Sequence, residues 1–352
     1  MRVERFDTTT YRLPLTEAVT WNGERREMRE GALLRLGDAD GNVGWGDLAP
    51  LPGFSRETLP EAVAALSAIL PAILDRDLDA SDLVRPSGTF HTALDTAGLP
   101  SSGRFALDLA LADLAAQALD RTLPQALHPD PAVRLPLNGL LMGDRGAVVT
   151  QARRFAEAGY EAVKLKVGRG AIGGDIGTVR AVREALGPGV ALRLDANRAW
   201  HRDDASRLAE YVVPLGVAYV EEPLADPAGL PELWLDTGLP IAVDESVQEG
   251  SAIQGWAEAA VLKPTLVGGL MATLCLGVEA RSVGVRPVLS ASFESGVGLR
   301  GVAALAAALG AEPAGLDTYR WLAEDVVGPL PFDRPHVDIP GLFSDPLDVR
   351  VP

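Results

Sequence analysis

The sequence predicts an α/β protein whose larger part is a closed β/α barrel, preceded by a small α+β domain. From about residue 135, short runs rich in Val, Ile and Leu alternate with amphipathic segments, as parallel strands and helices do. Eight such runs can be identified, a number that favours a closed barrel over an open sheet. No glycine-rich phosphate loop follows the first run, which disfavours a dinucleotide-binding fold.

The elements are expected in the following order. In the first part of the chain, strands are predicted at residues 2–14 and 32–36, a turn at Asp40-Gly41, and helices at 55–75 and 104–119. The barrel strands are predicted at 135–141, 162–167, 191–196, 218–222, 241–245, 260–264, 287–292 and 314–318. Helices between them are predicted at 147–158, 178–186, 205–213 and 270–283.

Composition and charge exclude several function classes. The net charge of −16 argues against a nucleic-acid partner, whose phosphates require Lys and Arg. The single Cys275 excludes an internal disulfide framework. The N-terminus has no apolar signal core, and no apolar run reaches the roughly 18 residues of a membrane span. We therefore expect a cytoplasmic protein with no membrane partner. The oligomeric state stays open, and a monomer is compatible with the sequence.

Charged residues follow or end five consecutive predicted barrel strands. In chain order these are Lys164 and Lys166, Asp195 and Asn197, Glu221 and Glu222, Asp244 and Glu245, and Lys263. The carboxyl ends of barrel strands meet at one rim, where catalytic residues lie. Any one of these acids alone is better explained as a helix cap or a partner of a lysine. Charged residues at five consecutive strand ends are not well explained in that way, and they indicate a functional site.

The residue types indicate a chemistry. Three carboxylates, Asp195, Glu221 and Asp244, make a hard oxygen site suited to Mg²⁺. A metal held there could bind a substrate carboxylate and stabilise the negative charge left when an α-proton is removed. Lysines of the second and sixth strands would approach that carbon from opposite sides. Because a nearby ammonium lowers the pKa of a lysine base, one member of the Lys164–Lys166 pair could act as the base and the other could tune it.

The motifs resemble those of the enolase superfamily, in its muconate-lactonizing subgroup. The Lys-x-Lys pair, the three strand-end acids and the sixth-strand lysine follow that subgroup's order. The resemblance implies a (β/α)7β TIM-like barrel with an N-terminal α+β capping domain. The capping domain would comprise residues 1–100, completed by about 320–352, and the barrel residues 101–320.

Longer segments are similar to the o-succinylbenzoate synthase family within this subgroup. They include GWGDLAPLPGFSRET (44–58), LRLDANRAW (192–200), VEEPL (220–224), VDES (243–246), LKPTLVGG (262–269), LSASFESGVGL (289–299) and GLDT (315–318). The first segment would form a loop that closes over the substrate, although a structural hairpin edge is an alternative explanation for it.

The resemblance assigns roles residue by residue. Lys166 would remove the α-proton and then protonate the departing hydroxyl, and Lys263 would stabilise the enediolate from the opposite face. The predicted metal ligands are Asp195, Glu221 and Asp244, supported by Lys164, Asn197 and Glu245. The predicted substrate-binding residues are Arg193, Ser290 and Ser292, with Ala291 in place of the serine expected between the last two. The choice between Mg²⁺ and Mn²⁺ stays open.

The implied function is a lyase reaction on a small carboxylate substrate. It is the Mg²⁺-dependent syn dehydration of 2-succinyl-6-hydroxy-2,4-cyclohexadiene-1-carboxylate to o-succinylbenzoate, a step of menaquinone biosynthesis. Racemisation of N-succinylamino acids or epimerisation of dipeptides could use the same site residues, and cycloisomerisation of muconate is a third alternative. A catalytically inactive barrel scaffold is the remote alternative, disfavoured because all five principal charged residues are present.

Overall fold

A computed structural model describes residues 1–21, 23–74, 76–86, 88, 98–310 and 312–350. Its strands are β1 (Val3–Trp21), β2 (Glu24–Asp38), β3 (Val43–Leu48), β4 (Arg134–Pro136), β5 (Asn138–Leu141), β6 (Ala162–Lys166), β7 (Ala191–Asp195), β8 (Tyr219–Glu221), β9 (Ile241–Val243), β10 (Ala259–Leu262), β11 (Arg286–Leu289) and β12 (His336–Asp338). Its helices are α1 (Leu59–Ile69), α2 (Ala80–Leu83), α3 (Ser101–Ala118), α4 (Leu123–Leu127), α5 (Arg145–Glu157), α6 (Ile172–Leu186), α7 (Arg202–Val212), α8 (Leu230–Thr237), α9 (Glu245–Gln248), α10 (Pro264–Val267), α11 (Leu270–Ser282), α12 (Gly296–Ala308) and α13 (Ile339–Leu342).

The N-terminal part contains an antiparallel sheet in the order β1-β2-β3. Its first two strands are longer than predicted, because their backbones stay paired as far as Trp21 and Glu24. That extension is polar and mostly exposed along β2 as far as Glu30, apart from the buried Arg29, so it lacks the apolar alternation on which the prediction depended. The inner half of β2 is buried, with Ala32, Leu34 and Leu36 all fully covered.

Helix α3 covers this sheet and also contacts helices α10, α11 and α12. Glycines on β3 let the helix backbone approach closely. A Cβ atom added to Gly46 would lie 1.9 Å from the carbonyl oxygen of Ala106, a distance no side chain can adopt. The helix is therefore fixed between the sheet and the rest of the molecule. The predicted domain boundary near residue 100 stays a prediction.

The second sheet is parallel and runs β5-β6-β7-β8-β9-β10-β11. The predicted eighth strand at 314–318 is wrong as a continuous strand. Only two isolated bridges form there, Leu137 with Ala314 and Ser290 with Gly315, and the chain then enters a short 3-10 helix, Asp317–Trp321. The bridges nevertheless connect β11 back to the start of β5, so the sheet closes. The predicted fold class, a modified β/α barrel with an N-terminal α+β domain, is confirmed.

Among the described residues, no helix combines the length and the apolar character needed to cross a lipid bilayer. The large hydrophobic core instead lies between the barrel sheet and its helices, and it extends under the antiparallel sheet.

Candidate active site

A cavity of about 970 Å³ lies at the carboxyl ends of the barrel strands. Its barrel side includes the predicted residues Lys164, Lys166, Asn197, Glu245, Lys263, Ser290 and Ser292. Its other side is formed by the segment that follows β3, including Leu51, Phe54, Ser55 and Arg56. The predicted loop at 44–58 is thus strand up to Leu48 and cavity wall beyond it.

The two lysines of β6 point to the same side of the strand, where carboxylates meet them. The ammonium nitrogen of Lys164 lies 2.9 Å from Asp195 Oδ2 and 2.9 Å from Glu221 Oε2. The ammonium of Lys166 donates to Asp195 Oδ2 at 2.6 Å and to Asn197 Oδ1 at 2.7 Å. The register explains this arrangement, because Lys166 pairs with Asp195 and Asp195 with Glu221 on adjacent strands. Paired anions therefore make two half-buried lysines tolerable in this strand.

Lys263 follows β10, and three strands of the curved sheet separate that strand from β6. Its ammonium donates to Asp244 Oδ2, while Gln248 donates to Asp244 Oδ1 at 2.6 Å. Burial acts to lower the pKa of Lys263, but the charges of Asp244, Glu245 and Asp195 together outweigh it and raise the pKa above the ordinary value. Lys263 is therefore an ammonium facing the cavity.

The pKa values of the lysines and carboxylates at the strand ends follow from their burial and from their pairing with one another. Burial acts to lower the pKa of Lys164, but Asp195, Glu221 and Asp244 raise it well above the ordinary value. The pKa of Asp195 is held below its usual range: burial opposes this, and the charges of Lys164 and Lys166 outweigh burial. Lys164 is thus a positively charged neighbour of Lys166.

Glu221 differs from Asp195. Burial, together with the charges of Asp195 and Asp244, raises the pKa of Glu221 to about 7, against the opposing effect of Lys164. An added cation beside Glu221 would favour its ionised form.

The donor set fits Mg²⁺ by residue type. Asp195, Glu221 and Asp244 are buried carboxylates from three consecutive strands, and hard oxygen donors are those that Mg²⁺ prefers. Beside them, Glu245 Oε2 is buried without a hydrogen-bond partner. In the described part of the chain, however, no three His, Cys, Asp or Glu side chains already converge as a metal cage. The carboxylates contact lysines instead, so binding a metal would require them to turn.

The neighbouring acid, Glu222, has a different environment. Its carboxylate accepts hydrogen bonds from the backbone N–H groups of Asp244 at 2.9 Å and Ser246 at 2.8 Å. Arg198 also contacts it, with Nε 3.3 Å from Glu222 Oε2. Glu222 therefore fixes the turn that carries Asp244, while Glu221 faces the lysines, as the predicted choice of Glu221 requires.

Hydroxyl groups form another part of the barrel side of the cavity. Ser290 and Ser292, after β11, and Thr318, in the 3-10 helix, line it. The hydroxyl oxygens of Ser292 and Thr318 are buried without a hydrogen-bond partner. A buried hydroxyl left in this state is unfavourable until a ligand pairs with it. Sequence reasoning missed Thr318, which stood in the predicted eighth strand without an assigned role.

The structure places Arg193 away from the cavity. Its Nη1 donates to the carbonyl oxygen of Pro313 at 2.7 Å, and its guanidinium lies 5.3 Å from the ring centroid of Tyr219. Arg193 shares a strand face with Asp195 but lies two residues earlier, which is deeper inside the barrel. The expectation that it reaches metal or substrate is therefore corrected, and its contacts indicate a role in closing the barrel.

Comparison with known proteins identifies the family. Residues 147–342 match the model described as enolase C-terminal domain-like, and residues 3–99 match the model of the MenC N-terminal domain. The o-succinylbenzoate synthase of Yersinia enterocolitica is 35% identical over 349 residues, which cover 96% of each chain. The chain belongs to the o-succinylbenzoate synthase family of the enolase superfamily.

Solved structures of lower identity share the fold of this family member. The N-succinyl Arg/Lys racemase of Bacillus cereus gives a TM-score of 0.88 at 18% identity, over 99% of this chain and 96% of that chain. The L-Ala-D/L-Glu epimerase of Bacillus subtilis gives 0.84 at 22% identity, over 100% and 98%.

Proposed function

We propose that this chain is a lyase that converts 2-succinyl-6-hydroxy-2,4-cyclohexadiene-1-carboxylate to o-succinylbenzoate by syn elimination of water, in menaquinone biosynthesis. The main support is that Lys166 and Lys263 line one cavity. They come from β6 and β10, which are separated by three strands that carry the buried carboxylates. The family's name supports the choice of substrate.

In the proposed reaction, Lys166 both removes the α-proton and protonates the leaving group. Lys166, as the free amine, takes the α-proton beside the ring carboxylate and becomes an ammonium. It then gives a proton to the hydroxyl that leaves from the same face, so water departs, the ring becomes aromatic and the amine is regenerated. Lys164 stays an ammonium beside it, and Asn197 orients Lys166 through the 2.7 Å hydrogen bond.

Lys263 stabilises the negative charge of the enediolate from the opposite side, as an ammonium that lines the cavity. Asp195, Glu221 and Asp244 are the residues that would hold Mg²⁺, with Glu245 beside them. When bound there, Mg²⁺ supplies the positive charge that favours a dianionic carboxylate, as is general in enolase-superfamily sites. Mn²⁺ has the same preference for carboxylate oxygens and is included in the test below.

The wall formed by Ser290, Ser292 and Thr318 would receive the succinyl group. That group carries a ketone and a carboxylate, which only accept hydrogen bonds, and the hydroxyls of Ser292 and Thr318 are two buried donors without a partner. The ring carboxylate lies toward the lysines, so the succinyl end extends toward this wall.

Racemisation of N-succinylamino acids is the second candidate, because two lysines on opposite sides of an α-carbon can exchange its proton from either face. Dipeptides are less suited to the site. Their free ammonium group needs an acid near the last strands, and the candidate acid, Asp317, is already paired with Arg320 at 3.3 Å and Arg334 at 3.2 Å.

The test is turnover of the cyclohexadiene carboxylate, followed by absorbance, with Mg²⁺, with Mn²⁺ and with a chelator. We expect conversion that stops on chelation and returns with metal. We also expect Mg²⁺ to raise the melting temperature, since a ligand that binds only the folded state stabilises it. Absence of conversion, with α-proton exchange of N-succinylamino acids in D₂O, would replace this function by racemisation.

A further inference from the structure

Arg29 is a buried arginine of β2 that has no assigned role. Its side chain is among the largest that are fully buried, with 1% of the residue exposed. All five of its N–H groups donate to backbone carbonyl oxygens. The acceptors are Phe293 from Nε at 2.8 Å, Glu30 at 2.9 Å and Pro50 at 2.8 Å from Nη1, and Ala49 and, at 3.5 Å, Ser292 from Nη2.

Four of these acceptors belong to two segments that border the cavity. Ala49 and Pro50 directly precede Leu51, the first cavity residue of the segment after β3. Ser292 and Phe293 belong to the barrel, more than 260 positions away from Arg29 in the chain. One guanidinium thus joins the segment that covers the cavity to the turn that carries the unpartnered hydroxyl of Ser292.

The turn needs such support. Phe293 has a φ of +60°, in the left-handed region that a bulky side chain rarely adopts. Its carbonyl accepts the hydrogen bond from Arg29 Nε, and its ring packs near Trp321, with centroids 6.3 Å apart. Residues held in unfavourable backbone conformations persist where their surroundings determine them. Here Arg29 is one of those determinants.

We propose that Arg29 is a positioning residue for substrate binding. It fixes the turn at Ser292 and Phe293 against the segment at Ala49 and Pro50, so that the hydroxyl wall is assembled before the substrate enters. This inference rests on the proposed function, since it assigns the substrate's succinyl end to that wall. Preorganisation of this kind acts on the binding of the remote end of the substrate more than on the proton transfer.

The test is the kinetics of Arg29→Lys, which keeps the charge but has three donors in place of five, so it cannot make all five of these hydrogen bonds. We expect KM for the cyclohexadiene carboxylate to rise roughly 10-fold while kcat changes less than about 3-fold. Ser292→Ala should also raise KM. If Arg29 acts through Ser292, the double variant should be little worse than the poorer single variant.

Arg35→Lys is the matched control, since Arg35 lies on the same strand and stacks over Trp45, with its guanidinium 5.9 Å from the ring. It should leave KM unchanged. Equal losses of kcat and kcat/KM in Arg29→Lys, or additive effects with Ser292→Ala, would overturn the proposal. If Arg29→Lys does not fold, Arg29→Gln replaces it, and failure of both to fold would show a folding role alone and also overturn it.

Failure of the proposed function is recognised separately, because wild-type protein would then not turn over. Hydrogen exchange gives a readout that needs no substrate. In Arg29→Lys, amides at 51–55 and 292–295 should exchange faster, with those of β6 to β9 unchanged. Unchanged exchange at both segments would overturn the positioning role whatever the substrate is.

Discussion

Two walls of the same cavity are built in opposite ways. At the charged wall, Lys164, Lys166 and Lys263 line the cavity and pair with the buried carboxylates Asp195, Glu221 and Asp244. The hydroxyl wall, formed by Ser290, Ser292 and Thr318, is neutral, and two of its hydroxyls have no partner. The charged wall therefore has its proton-transfer groups already positioned by pairing within the protein. The hydroxyl wall has hydrogen-bonding groups that only a ligand would pair.

The sharpest way to break this comparison is to remove the lysines. Lys166→Ala and Lys263→Ala should each reduce kcat by about 10³-fold or more, because one removes the base and the other the charge that stabilises the enediolate. Turnover measured at saturating substrate checks this, and circular dichroism verifies the fold. Near-normal kcat in either variant would refute the two-lysine assignment.

The hydroxyl wall should respond to mutation in KM and not in kcat. Ser292→Ala and Thr318→Val each remove a hydroxyl that has no partner in the unliganded protein, so the melting temperature should stay unchanged or rise. KM should increase roughly 10-fold, as expected for one lost hydrogen bond to a carboxylate. Steady-state kinetics and thermal unfolding measure both quantities. A large loss of kcat with KM unchanged would place these residues in the chemistry instead.

The same contrast explains what the sequence could predict. Charges recurring at strand ends revealed the charged wall, because parallel strands must bring their carboxyl ends together. The two-residue alternation of a strand predicts which face a side chain is on, but not how deep in the barrel it lies. Arg193 was therefore assigned to the site because it shares a face with Asp195. Thr318 was missed because the segment around it makes only isolated bridges before a 3-10 helix.

Arg29 could not be predicted for a different reason. It stands in the polar stretch ERREMRE (24–30), which is typical of an exposed strand edge. Its buried partners are main-chain carbonyl groups, which no residue pattern encodes, and two of them are more than 260 positions away. Long-range contacts of this kind become visible only when folding brings these distant segments together.

The smallest expected effect is on the pH dependence of stability, and it concerns a buried acid that belongs to neither wall. Asp47, at the end of β3, accepts hydrogen bonds from the Tyr11 hydroxyl at 2.8 Å and from the backbone N–H and hydroxyl of Ser295, each at 2.8 Å. Burial raises the pKa of Asp47 from 3.8 to about 6, against the lowering effect of those bonds. Asp195 is equally buried, but adjacent lysines give its pKa the opposite shift.

The sign of the pH effect follows from this raised pKa. Between about pH 4 and pH 6 folded Asp47 keeps a proton that the unfolded chain has released, so its stabilising contribution is complete below about pH 4 and is lost as the pH rises through 6. The shift corresponds to at most about 3 kcal/mol. In Asp47→Asn, which stays neutral, the free energy of unfolding should therefore decline less between pH 4 and 7 than in the wild type.

Denaturant unfolding at pH 4, 5, 6 and 7 measures this difference, and other titrating groups cancel between the two proteins. The Asn amide cannot accept all three hydrogen bonds, so a uniform destabilisation is expected as well, and the pH slope is the decisive quantity. Asp40→Asn, in the exposed turn before β3, is the matched control and should give a curve parallel to the wild type. A parallel curve for Asp47→Asn would mean that the carboxylate is ionised in the folded protein, with Arg29 and the hydrogen bonds at Ser295 and Tyr11 offsetting its burial.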